Sequence, residues 1–284
     1  MNTHYLMAML AVAAFPSLFA QTGENGLIFT PVSDTEASVS SDSTLTRKAD
    51  ISIPETVTIN GHSYTVTEVA PNAFANNTNI SSVALPSTLV TIGDHAFDGC
   101  TALKSIELPA NLETIGDYAF FAKGGAGLGE ITLPSKMKEV GDSAFFNAPL
   151  TTLTIDGDSS SGELTLGNAA FSGLSRAIEN IYVARATPPK ADVSTFNQRD
   201  YKSTFLTVFG DAIPSRDLYL TDPVWSLFKQ PIITSAADIE HDTETAKSEY
   251  FTLGGVYLGT DRSLLSPGIY IHRHGSESEA VYLR

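Results

Sequence analysis

A β-rich solenoid, in which short strands stack rung upon rung, is the fold class this sequence predicts, and two observations predict it. The segments ISSVALPSTLVTIGDHAF, LKSIELPANLETIGDYAF and LGEITLPSKMKEVGDSAF are near-copies of one unit. A degraded copy, LTTLTIDG…GELTLGNAAF, follows them, and a half-copy, YTVTEVAPNAF, precedes them. The phenylalanine that closes each unit falls at Phe74, Phe97, Phe120, Phe145 and Phe171, at steps of 23, 23, 25 and 26 residues. A period in the twenties with Leu and Ile at fixed offsets is the mark of leucine-rich repeats, whose units share one continuous core. Such stacks build an extended surface, which points to binding rather than chemistry.

Each unit opens with a first strand, SVAL, SIEL or EITL. Val83 with Leu85, Ile106 with Leu108, and Ile131 with Leu133 alternate with polar neighbours, so one face points inward. Pro86, Pro109 and Pro134 then end the strand, because proline lacks the N–H that a continuing ladder needs. A second short run follows, carried by Leu89 and Ile92, Leu112 and Ile115, and Met137 and Val140. Gly93, Gly116 and Gly141 mark positions where a side chain would clash or φ would be unfavourable. Ala96, Ala119 and Ala144 permit close approach before the phenylalanines, which should stack as an internal spine. The register loosens at residues 122–130, AKGGAGLGE, and at residues 155–164, IDGDSSSGEL, where a polar loop replaces the proline corner.

The ends follow from the same logic, since a stack exposes apolar faces at both termini and needs caps. The predicted organisation is a signal peptide at 1–20, an N-terminal β cap at 21–66, the solenoid at 67–187 and a C-terminal cap at 188–233. A polar, acidic linker at 234–249 and a small β tail at 250–284 complete it. Residues 59–62 read as a hairpin turn built on Asn60 and Gly61. Trp225 and Phe228 share one face of a short helical piece, and Trp225 is expected to plug the open end of the core. The tail shows four short β runs, YFTL, VYLG, GIYIHR and AVYL, with turns at Pro267-Gly268 and Gly275.

Composition excludes several functions. The chain of 284 residues carries 17 basic and 32 acidic residues, a formal charge of −15. Nucleic-acid binding needs a basic footprint, which is missing. Beyond the apolar run at 1–20, which is too short to span a bilayer comfortably, no stretch reaches membrane-spanning length. Cys100 is the only cysteine, so neither an internal disulfide framework nor a thiolate metal site is expected. It reads as a small buried thiol between two repeats.

The search for chemistry finds candidates and no signature. Asp94, Asp117 and Asp142 occupy one repeat position and form an acidic ladder. Turn hydrogen bonds, a solvated stripe and a calcium-binding row are the three readings of it, with turn bonds preferred. His272 and His274 alternate on one strand, where generic strand residues are preferred over a metal pair completed by His241. No metalloprotease, phosphate-loop, dinucleotide or nucleophile-elbow motif occurs. No catalytic residue, cofactor or metal is therefore expected, and the binding residues stay unassigned.

The motif L-x-x-I-x-L-P-x-x-L-x-x-I-G-x-x-A-F is matched without a gap by Leu103, Ile106, Leu108, Pro109, Leu112, Ile115, Gly116, Ala119 and Phe120. It resembles the BspA-like leucine-rich repeat family of secreted and surface proteins, common in gut and oral Bacteroidetes, over about residues 50–232. The tail residues Tyr250, Leu253, Gly255, Leu258, Gly268, Ile269, Tyr270 and Ile271 resemble C-terminal segments of secreted Bacteroidetes proteins, some of which are sorting signals. The resemblance implies a secreted or outer-surface location and, as in some relatives, adhesion to host matrix proteins or other bacteria. It carries over no catalytic residue. The expected function is a non-enzymatic extracellular protein-interaction or adhesion module, monomeric, binding host or bacterial surface proteins through the solenoid. A structural envelope protein without a specific ligand and a carbohydrate-active hydrolase are the alternatives.

Overall fold

The computed structural model describes residues 21–22, 26–42, 45, 50–122, 127–158, 160–173, 178–208, 216–233, 248–251, 257–259, 268–274 and 277–283. The segment at 1–20, expected to be a signal peptide, nearly all of the expected linker and His241 lie outside the described residues.

Each repeat has two short runs and a closing turn, and each part stacks on its counterpart in the next repeat. The first run forms parallel pairs, because each new strand arrives by a right-sized loop of one repeat. Asp50–Ser52 pairs with Ser82–Ala84. Gly129–Leu133, Leu150–Ile155, Asn180–Val183, Phe205–Val208 and Lys229–Ile233 form a five-stranded parallel sheet in chain order. The rung between these two groups departs from expectation. The SIEL segment, Ser105–Leu108, keeps the alternation, with Ile106 buried and Ser105 and Glu107 exposed, yet it is not a strand.

The second run makes a longer ladder. Val69, Ile92, Ile115, Val140 and Leu166 lie in register along parallel pairs, and all are buried. The corners between the runs behave as proline dictates. The amides of Leu89, Leu112 and Met137 donate to the carbonyls of Pro86, Pro109 and Pro134 at 3.1, 3.0 and 2.9 Å.

The closing turns stack the phenylalanines. Successive ring centroids from Phe74 through Phe97, Phe120, Phe145 and Phe171 to Phe196 are 5.1, 5.2, 5.0, 5.3 and 5.5 Å apart, with planes within 15°. The backbone locks the same register: Phe97 and Phe120 donate their amides to Ala119 and Ala144 of the next rung at 2.7 Å. Phe196 extends the spine one rung beyond the five predicted members. Burying one such side chain contributes about 1.5–3 kcal/mol.

Both ends are closed. The hairpin Leu27–Pro31 with Glu36–Ser41 joins the long ladder, the second strand running parallel to His62–Val69. Thr56–Ile59 and His62–Val69 form the predicted hairpin, with Asn60 at φ 52° and Gly61 at φ 83°, the pair of left-handed residues a two-residue turn requires. At the other end, Asp222 caps a 3-10 turn at Trp225–Leu227 through the amides of Val224 and Trp225. Trp225 is buried edge-on against Phe196 at 5.8 Å and donates its Nε1–H to Pro189 at 2.7 Å. Phe228 follows in extended backbone and also meets Phe196 edge-on. One apolar cluster runs unbroken from Leu27 to Phe228.

The tail is a four-stranded antiparallel sheet of Ser248–Phe251, Tyr257–Gly259, Gly268–His274 and Glu277–Leu283. Ser248 and Glu249, placed in the linker by sequence, open its first strand. Among the described residues, no helix is long and apolar enough to cross a membrane.

Candidate functional site

The acidic ladder is built by hydrogen bonds from one rung to the next. Asp94 Oδ1 accepts the amide of Asp117 at 2.9 Å, Asp117 Oδ1 that of Asp142 at 2.7 Å, and Asp142 Oδ1 that of Asn168 at 2.6 Å. The preferred turn-bond reading is thereby met, with one change: the bond crosses between repeats instead of closing a local turn. Each carboxylate is exposed and held in a fixed orientation by its amide. Among the described residues, no group of three His, Cys, Asp or Glu could hold a metal ion.

The glycine column explains how the rungs approach so closely. A Cβ on Gly141 would lie 2.6 Å from the Asp117 amide nitrogen, and one on Gly167 would lie 2.6 Å from that of Asp142. Close packing, not φ, selects glycine here. The left-handed residues come two positions later and are not glycine: His95, Tyr118, Ser143 and Ala169, at φ 54° to 56°.

That left-handed column carries a second aromatic row, which sequence reasoning missed. The His95 and Tyr118 rings stack at 4.9 Å and 2°, and Phe121 and Phe146 stack at 5.5 Å and 4°. Tyr118 bridges the two pairs, 5.8 Å from Phe121. His95 Nδ1 and Asp98 Oδ2 are hydrogen-bonded at 3.0 Å. Tyr118 is 38% exposed. The row was legible in principle, since His95 and Tyr118 are one step of 23 residues apart.

The grooves on the wall include two beside aspartates. One, of about 740 Å³, runs over the first runs of the early repeats and includes Asp50, Ser82, Ser105 and Glu107. The other, of about 430 Å³, lies along the long ladder beside Asp117, Asp142, Asn168 and Asp192.

The remaining candidates are structural. Cys100 Sγ–H donates to the Phe74 carbonyl at 3.1 Å, and burial pushes its thiol up to about 12, far from the thiolate that reactivity needs. Arg185 was not foreseen. It is buried, and its guanidinium donates to the carbonyls of Gly162, Ser135 and Met137 at 2.7, 2.9 and 2.8 Å. It fills the place left by the missing proline corner, and a Cβ on Gly157 would collide with its stem at 2.6 Å. Asp200, also buried, accepts the amides of Asn197 and Ile178, and burial raises its pKa. In the tail, His272 stacks on Tyr250 at 4.9 Å, while the side chain of His274 lies outside the described residues.

A family model matches the repeat. Residues 51–179 match the BspA type leucine rich repeat region in six copies. A leucine-rich repeat protein from Bacteroides capillosus is 32% identical over 48% of this chain and 97% of its own, with a TM-score of 0.41. The leucine rich repeat protein of T. pallidum is 28% identical over 57% of this chain and 71% of its own, with a TM-score of 0.45. The pneumococcal vaccine antigen PcpA is 22% identical over 86% of this chain and 54% of its own, with a TM-score of 0.45. No curated protein matches the chain. With six copies of the repeat matched in succession, residues 51–179 of the chain are a BspA type leucine-rich repeat region.

Proposed function

We propose that this chain is a non-enzymatic, extracellular protein-interaction module that binds host or bacterial surface proteins through the solenoid wall. The observation that carries the reading is the stacked aromatic pair of half-buried His95 and exposed Tyr118, one residue from the oriented carboxylates of Asp94 and Asp117. A rigid aromatic side chain held at the surface is the anchor type that dominates protein interfaces. Oriented charges beside it add specificity and speed of encounter. Export by the segment at 1–20, secretion or outer-surface display, and action as a monomer belong to the same proposal.

The test is capture of partners from host extracellular-matrix and bacterial-surface extracts on the immobilised chain, in parallel with its Tyr118→Ala variant. Tyr118 is exposed, so the variant should melt within about 4 °C of the wild type. Loss of a captured protein with Tyr118→Ala supports the wall as the binding surface. Capture unaffected by Tyr118→Ala, or no saturable protein partner from either source, overturns this placement.

A further inference from the structure

The second aromatic row is stacked on one side only. The Tyr118 ring lies flat on His95, 4.9 Å away and 2° from parallel. Phe121 leans against it at 56°, and no further ring meets it among the described residues. Its other face is turned to the next rung, where the Tyr118 amide donates to the Asp142 carbonyl at 2.9 Å. The left-handed position on that rung belongs to Ser143, and the one after it to Ala169. Both side chains are too short to cover a ring. Tyr118 thus forms the floor of an open shelf, and it is 38% exposed.

The shelf is bordered by oriented negative charge. The Oδ1 atoms of Asp117 and Asp142 accept amides of the following rung. That leaves the Oδ2 atom of each without a hydrogen bond among the described residues. Neither carboxylate has an ion-pair partner there. Both line the groove of about 430 Å³. Lys190 is the only cation among the residues lining that groove, and it already pairs with Glu163.

We infer that the shelf takes an arginine side chain of a partner protein, its guanidinium flat on Tyr118 and its N–H fork toward Asp142. The inference rests on the protein-binding reading and names the group that the aromatic anchor of that reading receives. A guanidinium is planar and weakly hydrated, so it stacks on an aromatic face at little desolvation cost. In the same plane it presents paired N–H donors to a carboxylate at the edge of the ring. The lysine ammonium is a compact, strongly hydrated point charge that cannot lie flat. A neutral sugar or a further aromatic ring would cover Tyr118 but leave the carboxylates without a counter-charge, on a chain whose formal charge is −15.

The experiment titrates the full chain, carrying isotope-labelled tyrosine, with acetyl-Gly-Arg-Gly-amide, its lysine and citrulline analogues, and chitotetraose. Citrulline keeps the planar shape of arginine and loses its charge. The Tyr118 ring resonance, identified by its absence in Tyr118→Ala, reports binding by nuclear magnetic resonance. The arginine peptide should shift it saturably, the lysine peptide should bind more weakly, and citrulline and chitotetraose should leave it unmoved. Asp142→Asn keeps an oxygen for the Asn168 amide and removes the charge, so it should weaken binding roughly fivefold. Ser143→Tyr fills the shelf at a backbone conformation that Tyr118 itself adopts, and should abolish the shift. Equal affinity for arginine and citrulline, or for arginine and lysine, overturns the inference. So does an arginine shift that survives Ser143→Tyr or keeps its strength in Asp142→Asn. If the arginine peptide fails while Tyr118→Ala still abolishes capture from the extracts, the inference falls and the protein-binding reading stands. A shift with chitotetraose alone overturns the inference and counts against the protein-binding reading as well.

Discussion

Replacing Phe120 with alanine removes a ring that is 4% exposed and lies between Phe97 at 5.2 Å and Phe145 at 5.0 Å. A buried Phe→Ala change costs about 3–5 kcal/mol, depending on how far the site collapses. Collapse is opposed here, because the amides of Phe97 and Phe120 tie the rungs above and below at fixed height. Two stacked contacts vanish, each worth about 0.5–1.5 kcal/mol beyond area burial, so the loss should sit near the top of the range, about 4–5 kcal/mol. At roughly 2–4 °C per kcal/mol for a domain of this size, the melting temperature should fall by about 8–20 °C. The assay is thermal unfolding followed by circular dichroism, with amide exchange at Ile115 and Val140 to detect local opening, since repeat stacks lose cooperativity when one rung fails. Tyr118→Ala is the internal control: its ring stacks on His95 but is exposed, and its loss should cost under about 1 kcal/mol. A Phe120→Ala loss below about 1 kcal/mol, or one equal to that of Tyr118→Ala, would refute the stacked spine as the source of stability.

Gly141→Ala should destabilise by about 1–3 kcal/mol by overpacking against the Asp117 backbone, with urea denaturation as the measure. A clash carried through Asp117 should also speed amide exchange of Asp142. Arg185→Met should cost about 3 kcal/mol, because three carbonyls, that of Met137 buried, lose a charged donor. Arg185→Lys should recover less than half of that in the same titration, since a single ammonium cannot reach Gly162 and Ser135 together. Cys100, its thiol raised to about 12 by burial, should resist iodoacetamide at pH 8 in the folded protein and react on unfolding, as mass spectrometry would record.

What the sequence made legible was whatever repeats in register. The phenylalanine spine, the proline corners and the buried alternation could be read because each residue occurs several times at one offset, and coincidence at that frequency is rare. Phe196 escaped because its copy, DVSTF, has Thr195 where the others have alanine. The break at Ser105–Leu108 was illegible, since SIEL is as good a strand sequence as SVAL, and pairing depends on the neighbours rather than on the segment. Arg185 was hidden for a different reason. Its role is to fill an absence, the proline corner missing after Ile155, and its partners lie up to 51 residues away in sequence. The acidic ladder fell between these cases: the row was visible, but the direction of its bonds, from each amide to the carboxylate of the previous rung, needed three dimensions.

The column of left-handed residues has a consequence for how such a wall changes over time. Asn72, His95, Tyr118, Ser143 and Ala169 occupy one structural position, all at φ between 54° and 59°, and no two are alike. The aspartates, glycines, alanines and phenylalanines around them repeat almost unaltered. The chain thus holds a fixed frame around one free letter per turn, and the backbone strain of that letter, borne by the stacked rungs, is nearly the same whichever residue fills it. A relative could rewrite the whole displayed line, one letter per rung, without disturbing a single bond that holds the stack together.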